Sequence, residues 1–107
     1  MPAKIIEGKK YNTDTASLIG EFANSHDRRD FHQFEEALYK TPVGAYFLVG
    51  SGGPMSKYSR ATGQNEWSGS SDNFTALTKA EALAWCEDHD IEAAIVEREF
   101  ADMLKDA

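Results

Sequence analysis

Ala37-Leu38-Tyr39-Lys40-Thr41-Pro42-Val43-Gly44-Ala45-Tyr46-Phe47-Leu48-Val49 sets two apolar, aromatic runs around a short stretch holding Pro and Gly. Two such runs joined by a turn of this composition predict an antiparallel β-hairpin. The second run, Tyr46 to Val49, is apolar at every position, so it should be a central strand covered on both faces.

Working outward towards the N-terminus, residues 24–30 (Asn-Ser-His-Asp-Arg-Arg-Asp) read as a polar loop. Ala16 to Ala23 admits two readings. Leu18, Ile19 and Phe22 suit a short helix after Thr13 and Asp14, or a strand, and strand is the preferred one. Residues 3–12 read as a strand leading into a turn, with Gly8 as a break. Towards the C-terminus, Gly50-Ser51-Gly52-Gly53-Pro54 is expected to break the central strand. Residues 55–73 are polar and rich in Ser, Gly and Asn, with a strand expected near Lys57-Tyr58-Ser59. Phe74 to Leu77 should be the last strand. Thr78 and Glu81 then form a Thr-x-x-Glu capping box, the signature of a helix start. Ala82, Trp85, Cys86 and His89 make one apolar stripe at helical spacing. Asp90 should restart the helix, with Val96, Phe100, Met103 and Leu104 as a second stripe. The expected architecture is a single α+β domain over residues 1–107. A small antiparallel sheet, β-rich from 3 to 77, carries two C-terminal helices in the acidic segment 78–105.

The formal net charge of −7 is unevenly spread. Residues 1–80 balance nine acids against nine bases, whereas residues 81–107 hold nine acids against only Arg98 and Lys105, so 2 − 9 = −7. A negative field of this kind argues against direct nucleic-acid binding and for a basic partner, or simply for solubility. No apolar run approaches the ~18 residues of a membrane span, and the single cysteine, Cys86, predicts a reducing, cytoplasmic setting.

Candidate chemistry is sparse. Gly50, Gly52, Gly53 and Lys57, with Tyr58 and Trp67 nearby, raise the question of a phosphate loop. A P-loop needs glycine before its lysine and Ser or Thr after it. Here Ser56 precedes Lys57 and Tyr58 follows, so a strand-ending turn or bulge is the preferred reading. His26 and His32 match no common zinc spacing, and Cys86 with His89 supplies only two ligands, so no metal or cofactor is expected. Cys86 lies on an apolar stripe beside Glu87 and Asp88, a setting that raises a thiol pKa, so it reads as a core residue rather than a nucleophile. Glu35 and Glu36 carry no weight alone as an acid/base pair. The chain is expected not to be an enzyme.

Asp88, Glu92, Glu99, Asp102 and Asp106 would fall close to one side of a continuous or slightly bent helical segment. Such a carboxylate row can imitate a phosphate backbone in another protein's groove. The plainer reading, a solvated face partly compensated by Arg98 to Asp102 and Asp102 to Lys105, ranks ahead of it.

Tyr11-Asn12-Thr13-Asp14-Thr15-Ala16, Leu38-Tyr39-Lys40-Thr41, Gly44-Ala45-Tyr46-Phe47-Leu48, Gly50-Ser51-Gly52-Gly53, Tyr58 and Leu77-Thr78-Lys79-Ala80-Glu81-Ala82 with Trp85 form a recurring series. In this series the chain resembles a family of short proteins from bacterial plasmids, conjugative elements and phages. The resemblance spans roughly residues 9–86 and brings no catalytic motif with it. It implies a context: small acidic proteins of mobile elements often look like anti-CRISPR or antirestriction inhibitors. The leading expectation is therefore an inhibitor that meets the basic surface of a host nucleic-acid-binding complex through Asp88, Glu92, Glu99, Asp102 and Asp106. The alternatives are a nucleotide or small-ligand site at Gly50 to Lys57 with Tyr58 and Trp67, and an accessory protein that dimerises through the hairpin edge.

Overall fold

The computed structural model describes residues 3–24, 31–53, 56–58, 60–63, 66–68 and 70–107, with backbone alone at 60–63, 66–68 and 70–72. The loop around His26 to Asp30, Pro54, Met55, Ser59 and the Trp67 side chain lie outside that description. Among the described residues the order is β1 (Ala3–Ile6), β2 (Lys9–Asn12), β3 (Ser17–Ala23), β4 (Phe34–Lys40), β5 (Tyr46–Gly52), β6 (Arg60–Gly63), β7 (Glu66–Ser68), β8 (Ser70–Leu77), α1 (Lys79–Asp88) and α2 (Ala93–Phe100), ending in a 3-10 turn, Ala101–Met103. The fold class is α+β.

The hairpin forms where the sequence places it. β4 and β5 pair antiparallel with Lys40 opposite Tyr46. Thr41 closes the turn, its amide donating to the Ala45 carbonyl at 2.8 Å and its hydroxyl accepting from the Ala45 amide at 3.0 Å. The main sheet runs β3-β4-β5-β8, so β5 is interior and covered on both faces, as its apolar run requires. Ser17 to Ala23 takes the strand reading, because pairing with β4 and a bulge at Ile19 turn Ile19, Gly20 and Phe22 towards the helices.

Four expectations are corrected. Glycine does not break the central strand at residue 50: β5 continues to Gly52 because β4 and β8 flank it and supply ladder partners, with only a register shift between Gly50 and Gly52. Lys57-Tyr58 lies in a turn, and the strands of that region are β6 and β7. Residues 3–12 are a hairpin in their own right, turning through Glu7 and Gly8, both at positive φ (51° and 77°), the conformation of a two-residue type I′ turn. The β4–β5 hairpin is not an edge of the sheet: among the described residues β3 pairs with β4 and β8 with β5.

α1 starts at the capping box. The Thr78 hydroxyl accepts from the Glu81 amide at 3.1 Å, and the Glu81 carboxylate accepts from the Thr78 amide at 2.8 Å. Its stripe packs on one sheet face with Ile19, Leu38, Tyr46, Leu48 and Phe100. Helix continuity then fails: Asp90 adopts φ 52° and ends α1, and α2 begins only at Ala93. Val96 and Phe100 turn inward, but the helix stops at Phe100, so Met103 and Leu104 sit at the surface.

On the opposite face Phe47 is fully buried, stacked between Tyr39 (5.4 Å) and Phe74 (5.7 Å) and met edge-on by Tyr11 (5.4 Å). Each such ring pair adds about 0.5–1.5 kcal/mol beyond its buried area. The β1–β2 hairpin covers this end of the face through Tyr11 and Ile6. Among the described residues no helix is long and apolar enough to cross a membrane.

Candidate functional site

Alternation along β4 directs Glu36 to the same face as Leu38, beneath α1, where it is 3 % exposed. Four side chains converge on its carboxylate. The Tyr58 hydroxyl donates a short hydrogen bond to Oε2, and Lys57 Nζ lies 3.0 Å from the same oxygen. Trp85 Nε1 donates to Oε1 at 3.1 Å, and His89 Nε2 lies 3.5 Å from Oε1. Burial alone would raise the Glu36 pKa, but hydrogen bonds from Tyr58, Lys57 and Trp85 outweigh it and hold the carboxyl below its ordinary value. Burial, and then the Glu36 carboxylate, push the Tyr58 phenol upward. The centre is closed by rings: Phe22 stacks on His89 at 4.0 Å, and Phe34 meets Tyr58 edge-on at 6.4 Å.

Sequence reasoning discounted Glu36. The available signal was period two: in Phe34-Glu35-Glu36-Ala37-Leu38, Glu36 shares the inward face with Leu38, so one carboxylate had to find donors. With every oxygen engaged and the ring wall closed around it, this centre ties β4, the 56–58 turn and α1 together.

The glycine segment serves that centre. A Cβ at Gly50 would lie 2.0 Å from Tyr58 Cζ, so the bare backbone there is what lets the Tyr58 ring lie across β5 and reach Glu36. Gly52 pairs with Phe34, and the Gly53 amide donates to the Gln33 carbonyl at 2.7 Å. Lys57 is held by Glu36, and its ammonium lies 5.2 Å from the Phe34 ring centroid. The residues expected to cradle a phosphate thus contact their own sheet, and the segment includes the register shift that the bulge reading anticipates.

Cys86 is a core residue, 1 % exposed, its thiol pushed up to about 11 by burial and then by the Glu87 and Glu99 carboxylates. His89 caps the end of α1, its backbone amide donating to the Glu87 and Trp85 carbonyls. Among the described residues no group of three or more His, Cys, Asp or Glu side chains is placed to hold a metal ion.

The acidic row does not survive as a row. Asp88 belongs to α1 and Glu92 to the N-cap of α2, on either side of the break. Glu99 turns back to the sheet, pairing with Lys40 at 3.2 Å, and holds the Lys40 pKa up. Asp102 pairs with Lys79 at 2.8 Å, and the ammonium's hydrogen bond keeps its carboxyl below the usual range. The compensation expected from Arg98 and Lys105 is supplied instead by these two lysines. Arg98 lies 4.0 Å from Glu99. Asp106 is exposed in the segment beyond the 3-10 turn. What the break creates is a corner: Glu87, Asp88, Asp90 and Glu92 are all exposed, with no cation at ion-pair distance among the described residues. Comparison with family models, curated proteins and solved structures gives no match to this chain.

Proposed function

We propose that this chain is not an enzyme but a protein-binding inhibitor, and that its partner presents a basic surface of the kind that holds nucleic acid. The observation that supports this reading is the exposed acidic corner formed by Glu87, Asp88, Asp90 and Glu92, which no cation of the described chain neutralises. Four like charges within six residues repel one another. Lysines and arginines of a partner would relieve that repulsion and gain steering at long range. Asp88 and Glu92 therefore remain in the binding surface, and Asp106 is available to it. Glu99 and Asp102 each already hold a lysine of their own chain. The class of partner, a host defence complex blocked in the bacterial cytosol by a protein of a mobile element, rests on the resemblance set out above.

The test is affinity capture of the tagged protein from a bacterial lysate, with and without nuclease, beside the variant Asp88→Lys/Glu92→Lys. Nuclease-insensitive recovery of a nucleic-acid-handling protein, lost in the variant while circular dichroism stays unchanged, is the expected result. Equal recovery by both proteins, or recovery that nuclease abolishes, overturns the reading.

A further inference from the structure

Among the described residues the second face of the main sheet is covered by the β1–β2 hairpin at one end. At the other end a groove of about 720 Å³ opens across β3, β4 and β5. Among its lining residues, strand register sets Glu21, Ala23, Glu35, Ala37, Tyr39 and Val49 on this face. Glu21 lies opposite Ala37 and Ala23 opposite Glu35, so the two acids occupy a diagonal of one face, about 7–8 Å apart. Both are exposed, and neither has a cation at ion-pair distance among the described residues; Glu35 accepts only the Ser51 hydroxyl, at 3.3 Å. The contrast with Glu36, one residue away and fully satisfied on the other face, is direct.

We infer that this groove docks an extended segment of a protein partner carrying arginines at alternate positions. The inference rests on the reading that the partner is basic, and it names the surface and the motif. In an extended chain, side chains at i and i+2 point the same way, about 6.6 Å apart, which matches the Glu21–Glu35 diagonal. A helix would bring side chains together at i+3 and i+4 instead. The alanines and valine of this face take the aliphatic stems of long cationic side chains, and the Tyr39 ring offers a face to a guanidinium. Arginine fits better than lysine because its planar fork can meet a carboxylate through two parallel hydrogen bonds. Nucleic acid is excluded as the occupant by the sign of the charge.

The probe is a fluorescein-labelled peptide, acetyl-Ala-Arg-Ala-Arg-Ala-Arg-Ala-amide, followed by fluorescence anisotropy at low salt. The intact protein is compared with Glu21→Gln/Glu35→Gln and with Asp88→Asn/Glu92→Asn, each checked for fold by circular dichroism. The expected result is saturable binding that falls about tenfold in the groove variant and stays unchanged in the corner variant. Loss in the corner variant alone overturns the groove and leaves the basic-partner reading standing. No binding by the intact protein also overturns the groove, and the lysate capture then decides the broader reading by itself.

Discussion

Glu36 is the residue on which most of the described polar chemistry turns. A carboxylate at this depth is tolerated only while its donors stay in place. Glu36→Gln keeps the shape and removes the charge, so it should lower stability by roughly 1–3 kcal/mol at neutral pH. Glu36 is held below its ordinary value of 4.5, so its contribution is fully present above that pH. It is lost as pH falls through the depressed folded-state value. Urea titrations of both proteins should therefore show a gap that is constant near neutrality and narrows below about pH 4.5. A gap of the same size at every pH would sink the assignment. Gly50 adds a second test, because its missing Cβ is what admits the Tyr58 ring. Gly50→Ala should destabilise the intact protein yet become nearly neutral in a Tyr58→Ala background. A coupling of about 0.5–3 kcal/mol is expected from the double-mutant cycle. Additivity would mean that the two residues do not compete for one space.

At the scale of elements, the sequence was most legible where two local signals agreed. The β4–β5 hairpin has both apolar runs and a Pro-Gly turn, and α1 has both a capping box and a stripe. Thr78→Ala removes the cap that accepts from the Glu81 amide and should cost about 1 kcal/mol, read as a shift in the urea midpoint without a change in slope. Two helices with a restart at Asp90 were legible, but the sharp turn between them was not, because Asp90-Ile91-Glu92 contains neither Gly nor Pro. Asp90 tolerates the left-handed region through its short polar side chain. Gly at this position should stabilise the protein by up to about 1 kcal/mol, and Ala should not. Counting acids at helical spacing through that break is what produced a row where the molecule has a corner and two internal ion pairs. The glycines after Val49 misled for a related reason. Glycine weakens a strand locally, but here flanking strands supply the ladder and Tyr58 the missing bulk. The surface roles of Glu21 and Glu35 depend on cross-strand register, which no stretch of sequence carries by itself.

The whole molecule depends on one core contributed by both halves of the chain: Ile19, Leu38, Tyr46 and Leu48 from the sheet, Ala82, Trp85, Cys86 and Phe100 from the helices. Tyr46 and Phe100 stack at 5.5 Å, so the last helix completes the core that the hairpin begins. Charge is distributed the other way. The ion pairs that bind the parts together use Lys40, Lys57 and Lys79, while the acids at the α1–α2 corner and in the groove have no such partners among the described residues. Salt should then act with opposite sign on folding and on binding. Screening relaxes repulsion among Glu87, Asp88, Asp90 and Glu92, so raising NaCl from about 0.05 to 0.5 M should leave the urea midpoint unchanged or slightly higher. The same change shortens the Debye length from ~14 to ~4 Å and should weaken a complex with a basic partner at least tenfold, chiefly through a slower on-rate. Measuring both on one preparation separates the two effects. A complex indifferent to salt would place its energy in apolar contacts and remove the acidic surfaces from the mechanism, whereas a fold that loosens with salt would mean that screening of the Lys40, Lys57 and Lys79 pairs outweighs the relief of repulsion at the corner.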